Sequence, residues 1–174
     1  MALTHIIELM GLSDLSFTPD GGSAVDIFGA RKMSIEFDGV AKPAEGDDKT
    51  LAYNSAFKGA KVSFEAMAVD LEALSALTGQ TIVDSGSTPN QTSTLSIKAA
   101  PAPFGVLKGT GVIIQGAGTL PAEVEFEIEV FTVIAGELKI SGGFEEMWLI
   151  SAGGYAVPNS SDVIVKITFK ETAS

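Results

Sequence analysis

Cysteine is missing from the chain altogether, which excludes a disulfide framework, a thiol nucleophile and any zinc site built on thiolates. Histidine is almost as scarce. His5 stands alone, so no His-pair metal motif can form and most hydrolytic constellations lack their base. There is one tryptophan, Trp148, and an aromatic content of 7%, thin material for a sugar-stacking platform. Lys and Arg number 11 against 22 Asp and Glu, a formal charge of -11 with no basic patch. Such a surface repels phosphate and lacks the clusters that hold nucleic acid by counterion release. The apolar runs are broken by Gly or a charge within about ten residues, short of the roughly 20 that cross a bilayer. The start, MALTHIIELMGLSDLSF, has neither a basic n-region nor a long apolar h-region. Neither export by the usual route nor membrane insertion is expected.

Charge of either sign is also low. Charged residues make up 19% of the chain, against roughly 25% in typical soluble domains, and mean hydropathy is positive. A chain with so little polar material to cover itself is expected to bury surface against other copies, as an obligate oligomer does. At 174 residues it is long enough for one self-sufficient core, and no repeat or linker divides it, so a single domain spanning 1–174 is expected.

What is present is alternation. KMSIEFD sets Met33, Ile35 and Phe37 opposite Lys32, Ser34, Glu36 and Asp38, and KVSFEAMAV sets Val62, Phe64, Ala66 and Ala68 opposite Lys61, Ser63, Glu65 and Met67. Further strands are expected at 24–28, 94–99, 111–114, 122–134, 147–150 and 162–170. VDLEALSALTGQT breaks the period: Asp70 is placed to cap a first turn, Leu71, Leu74 and Leu77 recur at helical spacing, and Gly79 stands at a left-handed stop. The fold class expected is mainly β, an antiparallel sandwich or barrel with one short flanking helix over about residues 70–78. Two polar stretches, Phe37 to Thr50 and Asp84 to Ser93, read as long loops. Gly142-Gly143 and Gly153-Gly154 read as turns around a strand.

EVEFEIEVF, Glu123 to Phe131, places four glutamates at every second position, so Val124, Phe126, Ile128 and Val130 can face a core while the carboxylates share the opposite face. Like charges roughly 6.8 Å apart repel by about 0.6 kcal/mol in water and about 2 to 3 kcal/mol at an effective dielectric near 20. The row therefore has to be wet or paired with cations. Its regularity does not suit an acid and a base held in different environments, which glycoside cleavage demands. GTGVIIQGAG, Gly109 to Gly118, matches neither the dinucleotide fingerprint nor the phosphate loop and reads as turns flanking strands. Asp47-Asp48 and Glu145-Glu146 lack EF-hand spacing, and the two Asn-x-Ser/Thr matches carry no weight without a secretion signal. Trp148 reads as a core or interface anchor. No enzyme activity, cofactor or metal is expected.

The order GLSDLSFTPDGG, ARKMSIEFDG, an acidic loop, then LAYNSAFKGAKVSFEAMAVDLEALSALTGQ, followed by TSTLSIKAAPAPFG, resembles the major tail tube proteins of long, non-contractile-tailed bacteriophages. The resemblance covers about the first 105 residues. It implies a β-sandwich-like barrel with one flanking helix, assembled as hexameric rings that stack into a hollow tube through which DNA passes without specific binding. It further implies a virion protein assembled in the host cytoplasm, with tape-measure, tail-tip and tail-terminator proteins as partners. On this view Glu123, Glu125, Glu127 and Glu129, with Glu36 and Glu65, are candidates for an acidic lumen wall. The alternative is an outer solvated face paired with lysines such as Lys139, Lys166 or Lys170. Asp38, Lys42, Glu45, Asp47, Asp48, Asp84 and Asn90, in the two long loops, are candidates for bridging stacked rings. Rival readings are a tube protein of a contractile tail or injection system, and a β-sandwich adhesin or carbohydrate-binding module.

Overall fold

Strands β1 (Leu9–Pro19), β2 (Val25–Asp26), β3 (Ala30–Gly46) and β4 (Lys49–Ala66) are followed by the one described helix, α1 (Leu71–Thr78). Then come β5 (Ile82–Ser85), β6 (Thr92–Leu95), β7 (Phe104–Ile113), β8 (Val124–Ser141), β9 (Leu149–Ala156) and β10 (Val165–Glu171). They belong to a computed structural model that describes residues 9–46, 49–68, 70–113, 124–143 and 147–171. All pairings are antiparallel. One sheet runs in the order β2-β1-β7-β8-β9-β4-β3 with β10 added on β8, and β5-β6 forms a separate hairpin.

β8 organises the whole. Its first half, Val124 to Val130, pairs with β10, and its second half, Val133 to Ser141, pairs with β9, while β7 lies along Glu125 to Ile134. Between the halves Thr132 has φ 50, a left-handed value that is unusual for a β-branched residue and marks a local break in the strand. The sheet thus turns a corner within one strand and folds back on itself. Leu15, Phe17, Leu107 and Val130 from one layer meet Val62, Phe64, Ala152 and Ala156 from the other in a single core. The result is an antiparallel β-sandwich with one short helix.

The helix is formed as its residues dictate. Asp70, with extended backbone, accepts a 2.9 Å bond from the Glu72 amide through Oδ1, and Gly79, at φ 69, donates its amide to the Ser75 carbonyl at 2.8 Å. Ala73, Leu74 and Leu77 are buried, and the helix packs on β1, β2 and β5.

Several expected boundaries are corrected. Phe37 to Thr50 is not a loop: apart from Asp47 and Asp48, which lie outside the described residues, it forms the far half of β3 and the start of β4. Val40 pairs with Ala56 and Pro43 with Tyr53, making a two-stranded arm whose register beyond Gly59 involves only its own strands. Pro43 is tolerated because β3 is an edge strand with one side unpaired. Asp84 to Ser93 is likewise partly a hairpin, closed by the Ser85–Thr92 pair, with a 2.6 Å bond from Ser93 Oγ to Asp84 Oδ1 one pair further out. The strand expected at 94–99 ends at Leu95, and the one expected at 24–28 shrinks to Val25–Asp26. Gly109 and Gly111 sit inside β7 instead of in turns, and Gly153-Gly154 sit inside β9. There the missing side chains make room: a Cβ on Gly109 would lie 2.9 Å from Met33 Sδ.

Candidate functional site

The opening half of β8 places Glu125, Glu127 and Glu129 on the outer face, while Phe126 and Val130 are buried and Ile128 packs against the core. Glu123 lies outside the described residues. Each neighbouring strand brings cations to the same face. Glu129 stands between Lys108 of β7 and Lys166 of β10, and Glu125 stands opposite Lys170. Glu127 Oε2 is 2.7 Å from both Lys108 Nζ and Lys170 Nζ, and Lys166 Nζ is 3.3 Å from Glu129 Oε2. Two carboxylates, Glu127 and Glu129, thus meet three ammonium groups, so this part of the face is a compensated ladder instead of a purely acidic strip.

Glu127 is 8% exposed, the sole charged residue buried among those described. The hydrogen bond from Lys108, then that from Lys170, holds its carboxyl below the usual carboxylate range, with burial opposing. The hydrogen bond to Glu127 in turn raises Lys170. The lowered acid contributes stability above its unfolded value of about 4.3, lost as pH falls through its folded value. The raised base contributes stability below its unfolded value of about 10.4, lost as pH rises through its folded value. The clamp therefore acts across the neutral range. Glu127→Gln is expected to cost about 1 kcal/mol at pH 7, discounted because the lysine ends stay half in water. The difference from the parent should vanish toward acid, and urea unfolding at a series of pH values checks both.

Glu36 and Glu65 lie on a different stretch of outer surface, formed by β3, β4, β9 and the second half of β8. Glu36 is opposite Lys61, and Glu65 is opposite Lys32 and bridged by Arg31 at 3.0 Å. The five described candidate carboxylates therefore occupy two faces, each interleaved with cations. The unmatched acid lies elsewhere. Residues 9–30 carry Asp14, Asp20 and Asp26, and residues 70–97 carry Asp70, Glu72 and Asp84, with no Lys or Arg in either stretch. Of the ring-bridging candidates, Asp38 is on β3 and accepts a 3.2 Å bond from the Tyr155 hydroxyl. Burial, and then that bond, raises Tyr155 above its ordinary value. Lys42 and Glu45 are on the arm of β3, Asp84 is on β5 and Asn90 is at the tip of the β5-β6 hairpin.

One feature was not anticipated. Between the layers an apolar cleft of about 480 Å³ opens to solvent, walled by Met33, Ile35 and Phe37 of β3 on one side and by Phe126, Ile128 and Ile167 on the other. Ile167 is 57% exposed, and Phe57, whose ring stands 5.5 Å from that of Phe37, is 70% exposed. Trp148, at 59%, is not in the core.

No protein-family model matches the chain, and no curated protein matches it. Fold and surfaces define a class: an antiparallel β-sandwich with one flanking helix, carrying apolar side chains on the inward faces of exposed edge strands.

Proposed function

We propose that this protein is a structural subunit that polymerises as stacked hexameric rings into a bacteriophage tail tube, the conduit for DNA during ejection. The observation that carries the reading is the open cleft. A sandwich of low charge content leaves the apolar sides of β3 and β10 uncovered beside strand edges that, among the described residues, pair with nothing further. Long unpaired apolar edges are aggregation sites unless a partner covers them, and a closed homo-oligomer supplies that partner. The arm of β3 and β4 supports the same reading, since an isolated two-stranded ribbon is marginally stable in water and gains from a second surface. The outer faces suit a conduit. Interleaved Lys and Glu offer no basic track to hold phosphate, and the overall charge of -11 disfavours retention of DNA. The resemblance to tail tube proteins, rather than any catalytic arrangement, supplies the identity of the assembly, its ring symmetry and its tail-tip, tape-measure and terminator partners.

Negative-stain microscopy of purified protein is expected to show rings or hollow tubes. A protein that stays dispersed and elutes as a monomer across salt concentrations would overturn the reading, and binding of such a monomer to a glycan array would favour an adhesin.

A further inference from the structure

The cleft between the layers has two unlike ends. Among the described residues its lining is apolar side chains and Gly109, except for two charged residues, Arg31 and Lys32, both cations, at the start of β3. No described carboxylate lines it, in a chain with 22 acids to 11 bases. Phe37 lies six positions on from Arg31, roughly 20 Å along the strand. A bulge brings the cations to the lip. The pairing of β3 with β4 passes from Ala30–Ala66 to Lys32–Glu65, leaving Arg31 as the extra residue, and such an insertion re-aims side chains and twists the strand. Arg31 and Lys32 therefore both border the cleft, although neighbours in a regular strand face opposite ways. Arg31 Nη2 bridges Glu65 at 3.0 Å, but the two side chains are 47% and 36% exposed, so the pair is worth little and the guanidinium keeps donors to spare.

A volume of about 480 Å³ falls within the roughly 300–1,000 Å³ of ligand clefts, which are mostly apolar with a few polar groups that fix orientation. We propose that in the free subunit this cleft binds a single-chain aliphatic carboxylate. Its chain lies between Met33, Ile35 and Phe37 on one wall and Phe126, Ile128 and Ile167 on the other, and its carboxylate meets Arg31 and Lys32 at the lip. Each part of the ligand answers to a part of the cleft. The chain takes apolar surface out of water on both walls, and the guanidinium fork matches the two carboxylate oxygens. A neutral alcohol of the same length gains only the first, and a carboxylate without a chain only the second. Binding does not depend on the tube reading, but the two meet in one place. A neighbouring copy that covers the cleft in a tube and a chain that fills it in the free subunit exclude each other.

Calorimetric titration of the full chain with decanoate, kept below the concentration at which it forms micelles, should show one saturable site per subunit. Decan-1-ol should bind about tenfold more weakly, and acetate should give no heat of binding. Arg31→Gln with Lys32→Gln should weaken decanoate about tenfold and leave decan-1-ol unchanged. Both residues are exposed, so the fold should survive, and a circular dichroism spectrum matching the parent's checks this. Ile167→Glu, at a site on the cleft wall that is 57% exposed, should abolish binding of both ligands. Equal affinity for decanoate and decan-1-ol, or a double variant that binds decanoate as the parent does, would overturn the placement of the carboxylate. Binding that does not saturate, that survives Ile167→Glu, or that is weaker than a Kd of about 1 mM would overturn the site. At a free concentration about nine times its Kd, decanoate should raise the protein concentration at which rings or tubes form about tenfold. An unchanged threshold with decanoate bound would overturn the shared use of the cleft. Rings or tubes from a protein that binds no decanoate would overturn the site and leave the tube reading standing. Saturable binding by a protein that never assembles would do the reverse.

Discussion

Alanine at Phe17 is expected to remove about 4 kcal/mol of stability, near the upper end of what truncating a buried aromatic costs. Phe17 is 1% exposed, the largest fully buried side chain of the described residues, and it sits where both layers converge with Val62, Leu77, Leu107 and Val133. Its ring also occupies the space that Gly105 leaves: a Cβ on Gly105 would fall 2.5 Å from Phe17 Cζ. The cavity left by Phe17→Ala would be bounded by strands tied on both sides, which limits collapse and keeps the cost high. Urea unfolding should show the midpoint falling by about 2 M for an m-value near 2 kcal/mol/M. A loss under about 1 kcal/mol would mean that the ring does not join the layers as described.

Alanine at Gly154 is expected to cost about 3 kcal/mol through overpacking instead of a void. Its Cβ would lie 2.3 Å from the Ile134 carbonyl oxygen, a backbone atom that cannot swing aside. β9 is held between β4 and β8, with Gly154 paired to Val62 on one side and Ala135 on the other, so the strand has nowhere to shift. Gly136, close by on β8, has nothing within 4 Å of the corresponding position. Gly136→Ala should therefore stay within about 0.5 kcal/mol of the parent. Equal losses at the two glycines would refute the steric account.

The contrast between these glycines shows why parts of the fold were illegible beforehand. In sequence, Gly153-Gly154 and Gly109 look like turn punctuation. In the sheet they are strand residues whose missing side chains admit a neighbouring carbonyl or a methionine. That is a tertiary fact with no local signature. The stretch from Phe37 to Thr50 misled for a related reason: Gly, Pro and acidic residues argue for a loop, yet an edge strand with one solvent side accepts all three. Where local chemistry decides, sequence reading succeeded. Asp70 and Gly79 bracket the helix as their side chains require, and the alternation of EVEFEIEVF assigns Phe126 and Val130 to the core. The carboxylates of that strand were legible as needing water or cations, but not which, since Lys108 stands 19 positions before Glu127 and Lys170 stands 43 after it. The cleft was illegible because an uncovered apolar row and a covered one read alike.

The corner in β8 also sets an order of events. β1 waits for β7, its partner along most of its length, with Leu15 pairing to Gly109. β7, β9 and β10 all require β8, and β9 in turn joins β4 to the rest. At synthesis rates of roughly 5 to 20 residues per second, the early strands spend many seconds without the one that unites them. Such long-range pairings are also slow to form once they become possible. β10, which supplies Val165 and Ile167 to the cleft, comes last of the described strands in chain order. A nascent chain can therefore present β3 before the opposite wall of the cleft exists.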